Sequence, residues 1–308
     1  MNRKEFLTQS FAAGLGLALV PGFLSNCSTA APVFELPVVS SGELQRVRGN
    51  VFRYTHRGGT IGILETGDGF TVIDAQFPDT IKPLLDALSV KGKPVEFLCN
   101  THHHGDHTSG NIAFRGLTDK VIAHRAVPGL QQKAAEKNKT LDAQLYAHIL
   151  FDEKYSFSSG KEKITGYHFG NGHTLGDAMY HFENANVVHM GDLMFMNMIP
   201  VYRTADGADS VQWISVLQQA QRFFDDDTVF IFGHAGTLAH TVGTKSNLKE
   251  MADFLAATND FLDKAIKGGV SNAELLKSHD FVPGFEHRKT PERFPGYLDE
   301  VRKTLQNS

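Results

Sequence analysis

Four histidines and one aspartate fall within six consecutive positions of Thr101-His102-His103-His104-Gly105-Asp106-His107-Thr108-Ser109-Gly110-Asn111. The chemistry open to such a set is metal ligation, because neutral imidazoles and a carboxylate together suit a borderline divalent ion such as zinc. The competing reading is an exposed polar loop or a tag-like tract with weak metal affinity. Further ligands elsewhere in the chain decide between the two.

The second half of the chain supplies them. Gly172-His173, Gly191-Asp192 and Gly233-His234 each follow an apolar run of β-forming residues, so a glycine at a strand exit is followed at once by a metal-binding side chain. Strands of one sheet system that end along the same edge would gather these residues at one rim, where α/β proteins place ligand sites. Asp74 also closes an apolar run. It reads either as a turn or helix-capping residue or as a carboxylate that orients a metal ligand by hydrogen bonding.

The elements that must position these side chains follow from periodicity. The run Val95-Glu96-Phe97-Leu98-Cys99 reads as a buried strand that spills into the histidine cluster. In extended backbone His102, His104 and Asp106 share one side while His103 takes the other, and Gly105 permits the local turn that lets His107 rejoin the group. Residues 61–66 and 70–74 read as a hairpin across Gly67-Asp68-Gly69. Residues 80–88 have helical spacing, 121–123 form a short strand, and 127–150 look mainly helical. Strands are expected around 164–169, 186–190 and 228–232, and helices over 211–224, 245–266 and 295–306. In the first of the last two helices, Leu248, Met251, Phe254 and Leu255 form a core stripe.

Taken in order, His102-x-His104-x-Asp106-His107, Gly-His173-Thr, Gly-Asp192 and Gly-His234 resemble the metallo-β-lactamase-fold hydrolases, from roughly residue 51 to 236, with Asp74 at the aspartate that closes the family's first strand motif. The resemblance implies an α/β (α+β) fold, a four-layered αββα sandwich. It implies that His102, His104 and His173 bind one metal, that Asp106, His107 and His234 bind a second, and that Asp192 bridges them. Two zinc ions are expected, with iron or manganese as alternatives. The reaction implied is attack by a hydroxide shared between the ions on a carbonyl or phosphoryl centre, with Asp106 holding the nucleophile and handling its proton.

Relatives with this ligand set cleave thioesters, lactones, β-lactams, phosphodiesters or sulfate esters. Asp192 at the bridging position points toward a glyoxalase-II-like or lactonase-like hydrolase and away from a typical β-lactamase. Two other readings stay open: a mononuclear iron oxygenase of the same fold, and a non-catalytic metal-binding accessory protein. His56-Arg57-Gly58-Gly59 and Tyr202-Arg203 are candidates for loops that touch substrate, or for plain surface loops. His103, His56, His124, His148, His168, His181, His189 and His240 read as ordinary histidines, and Met190, Met194, Met196 and Met198 as adaptable core filling.

The N-terminus differs in kind. Arg3 and Lys4 precede an apolar, Gly/Ala-rich run over residues 11–24, and small residues follow at Ser28-Thr29-Ala30-Ala31, the pattern of an export signal over residues 1–30. Arg3-Lys4-x-Phe6-Leu7 resembles a twin-arginine signal with lysine at the second arginine. Leu24-Ser25-Asn26-Cys27 resembles a lipobox, with Asn26 where a small residue is usual; in it Cys27 would carry lipid and anchor the chain to a membrane. The expectation is an exported protein, periplasmic or lipid-anchored, with residues 31–308 as a single domain acting on a small molecule. With Cys27 lipidated or cleaved off, Cys99 has no partner for a disulfide, and two cysteines exclude a cysteine-rich zinc site. A formal net charge of −4 without a basic run leaves no footprint for nucleic acid.

Overall fold

The apolar runs become strands of two mixed sheets in a computed structural model, which describes residues 35–307. The first sheet runs in chain order through β1 (Glu43–Arg48), β2 (Val51–Thr55), β3 (Ile61–Glu65), β4 (Phe70–Ile73), β5 (Val95–Asn100), β6 (Val121–His124) and β7 (Ile149–Phe151). Its first four strands are antiparallel; β4 through β7 are parallel, and helical crossovers join them. The second sheet contains β8 (Lys154–Ser159), β9 (Glu162–Tyr167), β10 (Met179–Phe182) and β11 (Val187–His189), and continues through β13 (Val229–Ile231) to β15 (Val242–Gly243). A two-stranded ribbon pairs β12 (Phe195–Met196) with β14 (His234–Ala235).

The helices are α1 (Pro78–Ser89), α2 (Gly105–Thr108), α3 (Val127–Asn138), α4 (Ser210–Phe223), α5 (Lys245–Lys267), α6 (Asn272–Leu275) and α7 (Phe294–Asn307). Local chemistry sets their starts. Pro78 occupies the first turn of α1, where its missing N–H costs nothing. The Asp209 carboxylate caps α4 by accepting from the N–H groups of Val211 and Gln212 at 2.9 and 3.0 Å.

Three apolar clusters show the layering. Ile73, Cys99, Ile122 and Phe151 of the first sheet meet Ile164, Tyr180, Phe182 and Ile231 of the second, so the sheets pack face to face. Ile81, Leu84 and Leu88 of α1 cover the outer face of the first sheet. Residues of α4, α5 and α7, including Leu248, Met251, Phe254 and Leu255, cover the second. This is the expected sandwich of two mixed sheets between helices. Met190 and Met194 lie in its core, and Cys99 is a buried free thiol between the sheets, as a small core residue would be.

One expectation needs correction, and four strands escape the periodicity. The helix read over 127–150 ends at Asn138: Lys139 adopts a left-handed conformation with φ +57°, and the apolar triplet Ile149-Leu150-Phe151 joins the sheet as β7. Strands β1, β2, β8 and β10 carry too few consecutive apolar residues, or too mixed a pattern, to stand out from periodicity. Among the described residues no helix is long and apolar enough to cross a membrane. The export segment and Cys27 lie outside the described residues.

Candidate metal centre

Four strand ends converge on one rim. Asp74 follows β4 and His102–His107 follow β5; Asp192 follows β11, and His234 opens β14 just after β13. His104 is extended, and the chain then enters the single turn of α2, which carries Asp106 and His107. The side chains fall into two groups. His102, His104, His173 and Asp192 form one group whose ligand atoms lie within 4.8 Å of one another, and Asp106, His107 and His234 form another.

Asp192 stands between the groups with one oxygen turned to each. Its Oδ2 lies 3.4 Å from His173 Nε2 and 3.8 Å from His102 Nε2, while Oδ1 lies 3.0 Å from His107 Nε2 and 3.4 Å from His234 Nε2. Asp192 is 4% exposed, and the Asp106 side chain, 31% exposed, faces the mouth beside His234 at 3.1 Å. All seven residues proposed from the motifs thus meet at one place.

The tautomers, assigned from hydrogen-bond partners, show what this centre accommodates. Asp74 is fully buried at φ +66°, a conformation that costs free energy for a non-glycine residue and is held here by its surroundings. Its Oδ2 accepts from His107 Nδ1 and from the Thr101 hydroxyl, both at 2.7 Å, and Oδ1 accepts from Thr101 N at 2.8 Å. With its proton committed to Asp74, the Thr101 hydroxyl can only accept from His102 Nδ1, 3.0 Å away. His104 donates its Nε2–H to Asp206 Oδ2 at 2.9 Å. The inward nitrogens, His102 Nε2 and His104 Nδ1, then face each other as lone pairs at 3.1 Å. Two acceptors at that distance repel unless a cation lies between them, so the donor set fits a metal ion.

Electrostatics agree. Burial, followed by the neighbouring imidazoles, holds His102 and His173 well below the ordinary histidine value, which keeps them neutral and able to ligate. Burial works against charge on His107 and His234, but Asp192 leads the carboxylates that raise both, His234 to about 9. Protons there balance Asp106 and Asp192 in the metal-free chain, so binding cations would release them.

Close approach accounts for two glycines. A Cβ on Gly59 would stand 2.1 Å from His107 Cε1, and one on Gly233 would stand 2.2 Å from Asp192 Oδ1. The 56–59 loop does lie over the centre: Gly59 N donates to Asp106 O at 3.0 Å, and Gln76 Nε2 donates to Gly59 O at 2.7 Å. Of the three strand-exit glycines, only Gly191 has positive φ, at +53°; Gly172 and Gly233 are required by close packing instead.

Tyr202 is not at the mouth. It is buried, accepting from Ser210 N and paired with Thr304. Arg203 is exposed, with Nη1 3.7 Å from Asp206. His189 is a buried strut, donating to Thr60 O at 3.0 Å and accepting from Gly191 N at 3.2 Å, as an ordinary histidine would.

Three residues that serve the centre escaped the sequence reading. Asp206 holds His104. Asp177 accepts from the N–H groups of Gly172, His173 and Thr174 and from the Thr174 hydroxyl, locking the turn that carries His173. Thr101 relays Asp74 to His102. Only Asp177, three residues past Thr174, could have been suspected, as an acceptor closing a local turn.

Similarity to known proteins agrees with this geometry. The chain is 26% identical to a hydroxyacylglutathione hydrolase from Rhizobium meliloti over 164 residues, 52% of this chain and 56% of that protein. The chain thus spans little more than half the length of the curated relative. The sec-alkylsulfatase Pisa1 from Pseudomonas sp. superposes with a TM-score of 0.64 at 15% identity, over 86% of this chain and 50% of that one. A metallo-beta-lactamase from Pontibacter korlensis gives 0.56 at 21% identity, over 70% of this chain and 99% of that one. These two likenesses concern the fold. The model of the metallo-beta-lactamase superfamily matches residues 54–234, from β2 to the last of the clustered histidines, and the chain belongs to that superfamily.

Proposed function

We propose that this chain is an exported, zinc-dependent hydrolase in which His102, His104 and His173 hold one ion, Asp106, His107 and His234 hold the other, and Asp192 bridges them. One observation carries the reading: the Asp192 carboxylate presents a separate oxygen to each group of ligands. Such an arrangement serves two cations better than one.

A pair of divalent cations supplies positive charge that acidifies water and polarises the oxygen of the bond to be cut. The protein's own part is positional. Asp74 and Asp206 keep the imidazoles in ligating tautomers, and the glycines at 59 and 233 let backbone close over the centre. Asp106, the more exposed carboxylate, is placed to accept a hydrogen bond from the attacking water and to take its proton. Curated relatives named hydroxyacylglutathione hydrolase support a carbonyl substrate, and esters, thioesters and lactones come first, followed by lactams and phosphodiesters. Export rests on the basic start and apolar run of residues 1–30, with Cys27 as the point of lipid attachment.

Elemental analysis of protein purified without added metal, run beside a panel of those substrates, tests the proposal. About two zinc ions per chain and turnover of at least one substrate are expected, with Asp106→Ala lowering kcat/KM by about 100-fold or more without unfolding the protein. A single iron with oxygen consumption would favour the oxygenase instead. Two ions without turnover on any substrate would favour an accessory metal-binding role.

A further inference from the structure

His103, His104 and Asp206 make a second convergence beside the metal centre. Their ligand atoms lie within 4.8 Å of one another, and the motif-based reading includes neither His103 nor Asp206. Asp206 Oδ2 lies 2.9 Å from His104 Nε2, and its Oδ1 lies 3.7 Å from His103 Nε2. His104 is bound on both sides, since its Nδ1 faces His173 Nε2 at 2.8 Å and His102 Nε2 at 3.1 Å. A neutral imidazole has one lone pair and one N–H, so it cannot ligate through both nitrogens. The second convergence is therefore a carboxylate that holds the His104 ring and lies beside that of His103, and not a third cation site.

What holds Asp206 comes from far along the chain. Asp206 ends the short turn Thr204–Asp206, and Glu300 of α7 caps that turn: its Oε2 accepts from Thr204 N at 2.9 Å and from the Thr204 hydroxyl at 2.7 Å. Asp206 O accepts in turn from Leu175 N at 2.9 Å, which ties the same turn to the loop carrying His173. Residue 300 lies outside the 54–234 stretch that matches the superfamily.

We propose that Asp206 is a positioning residue that fixes His104 in the tautomer whose Nδ1 faces the metal centre, and that the C-terminal helix α7 keeps Asp206 in place through Glu300. The inference rests on the metal centre proposed above and adds to it a dependence on the C-terminal helix. Asp206 touches neither substrate nor reacting atoms; it acts through His104.

The test uses the full chain in two states. In zinc-loaded protein, competition with a chromogenic chelator reads the affinity of each ion. Asp206→Ala is expected to weaken one ion about 10- to 100-fold and leave the other within about threefold. Asp206→Asn, whose amide oxygen can still accept from His104 Nε2, is expected to restore most of that loss. Glu300→Ala should weaken the same ion by a smaller factor, about 3- to 10-fold.

In metal-free protein, long-range 1H–15N spectra of the histidines should show His104 protonated on Nε2 in the wild type and a mixture of tautomers in Glu300→Ala and Asp206→Ala. Equal affinities in wild type and Asp206→Ala would overturn the proposal, as would joint loss of both ions, or a third zinc ion that disappears with Asp206. Should Asp206→Ala fail to fold, an unchanged affinity and tautomer in Glu300→Ala would overturn it by themselves. Wild-type protein that binds no zinc would defeat the proposed function, and the metal-free spectra would still decide the role of Asp206.

Discussion

Asp74 shows how much one buried carboxylate can organise: it orients His107 directly and His102 through Thr101, so one side chain serves a histidine in each of the two ligand groups. Outside the centre, His124 offers a test at the same scale. Its half-buried ring stacks on His168 with centroids 4.0 Å apart, and burial first, then that neighbour, push its pKa down from 6.5 to about 4. Between those values the unfolded chain carries a proton on this residue that the folded chain does not. The resulting stability is complete above the unfolded value and is lost as pH falls toward about 4. Histidine NMR should therefore find His124 titrating near the lower value, and His124→Gln should flatten the dependence of stability on pH across that window. A midpoint at the ordinary histidine value would show that the packing has been misjudged.

At the scale of elements, the segment after β11 depends on groups far along the chain. Arg288, almost fully buried, donates from Nη1 to Phe195 O at 2.8 Å and Met198 O at 2.9 Å. Its Nε donates to Glu250 Oε1 of α5 at 2.8 Å, and its Nη2 pairs with Glu250 Oε2. β12, held in this way, pairs with β14, which carries His234, and Phe195 stacks on the His234 ring at 5.2 Å. Arg288→Met would leave two carbonyls without this donor and a partly buried carboxylate with only His287 as its partner, at a cost of about 2–4 kcal/mol. A urea midpoint lowered to match, together with weaker binding of the ion at His234, is the expected result. A normal midpoint would mean that solvent or other side chains replace the guanidinium.

At the scale of the whole molecule, the candidate metal centre joins the rims of both sheets, so bound cations would add a clamp to layers that already meet through apolar side chains and a few polar contacts such as Tyr180 OH to Asn100 O. An ion that binds only the folded chain stabilises it by mass action, by about 4 kcal/mol at free zinc about a thousandfold above the dissociation constant. Chelation of the zinc-loaded protein should therefore lower the melting temperature by on the order of 5–10 °C. The single tryptophan, Trp213, has its ring 5.5 Å from that of His173 and should report the same event as a change in emission. Melting curves that coincide with and without chelator would argue against a centre shared by the two sheets.

Residue type and spacing along the chain were enough to pick out the seven side chains that the fold brings together, because each sits in a short segment just after an apolar run. Several of the strands that lead into those segments follow from apolar runs, their pairing and direction are set by the tertiary structure, and the order of the motifs carries the family. Which nitrogen of each histidine faces the centre was decided only by tertiary packing. Asp206 and His104 are 102 residues apart, and Glu300 and Thr204 are 96 apart. Contacts over such separations depend on how α7 and the 199–207 segment pack, and local sequence pattern carries no information about that angle. For the same reason α3 ends and β7 begins where neighbouring strands offer hydrogen bonds that no helical periodicity reveals.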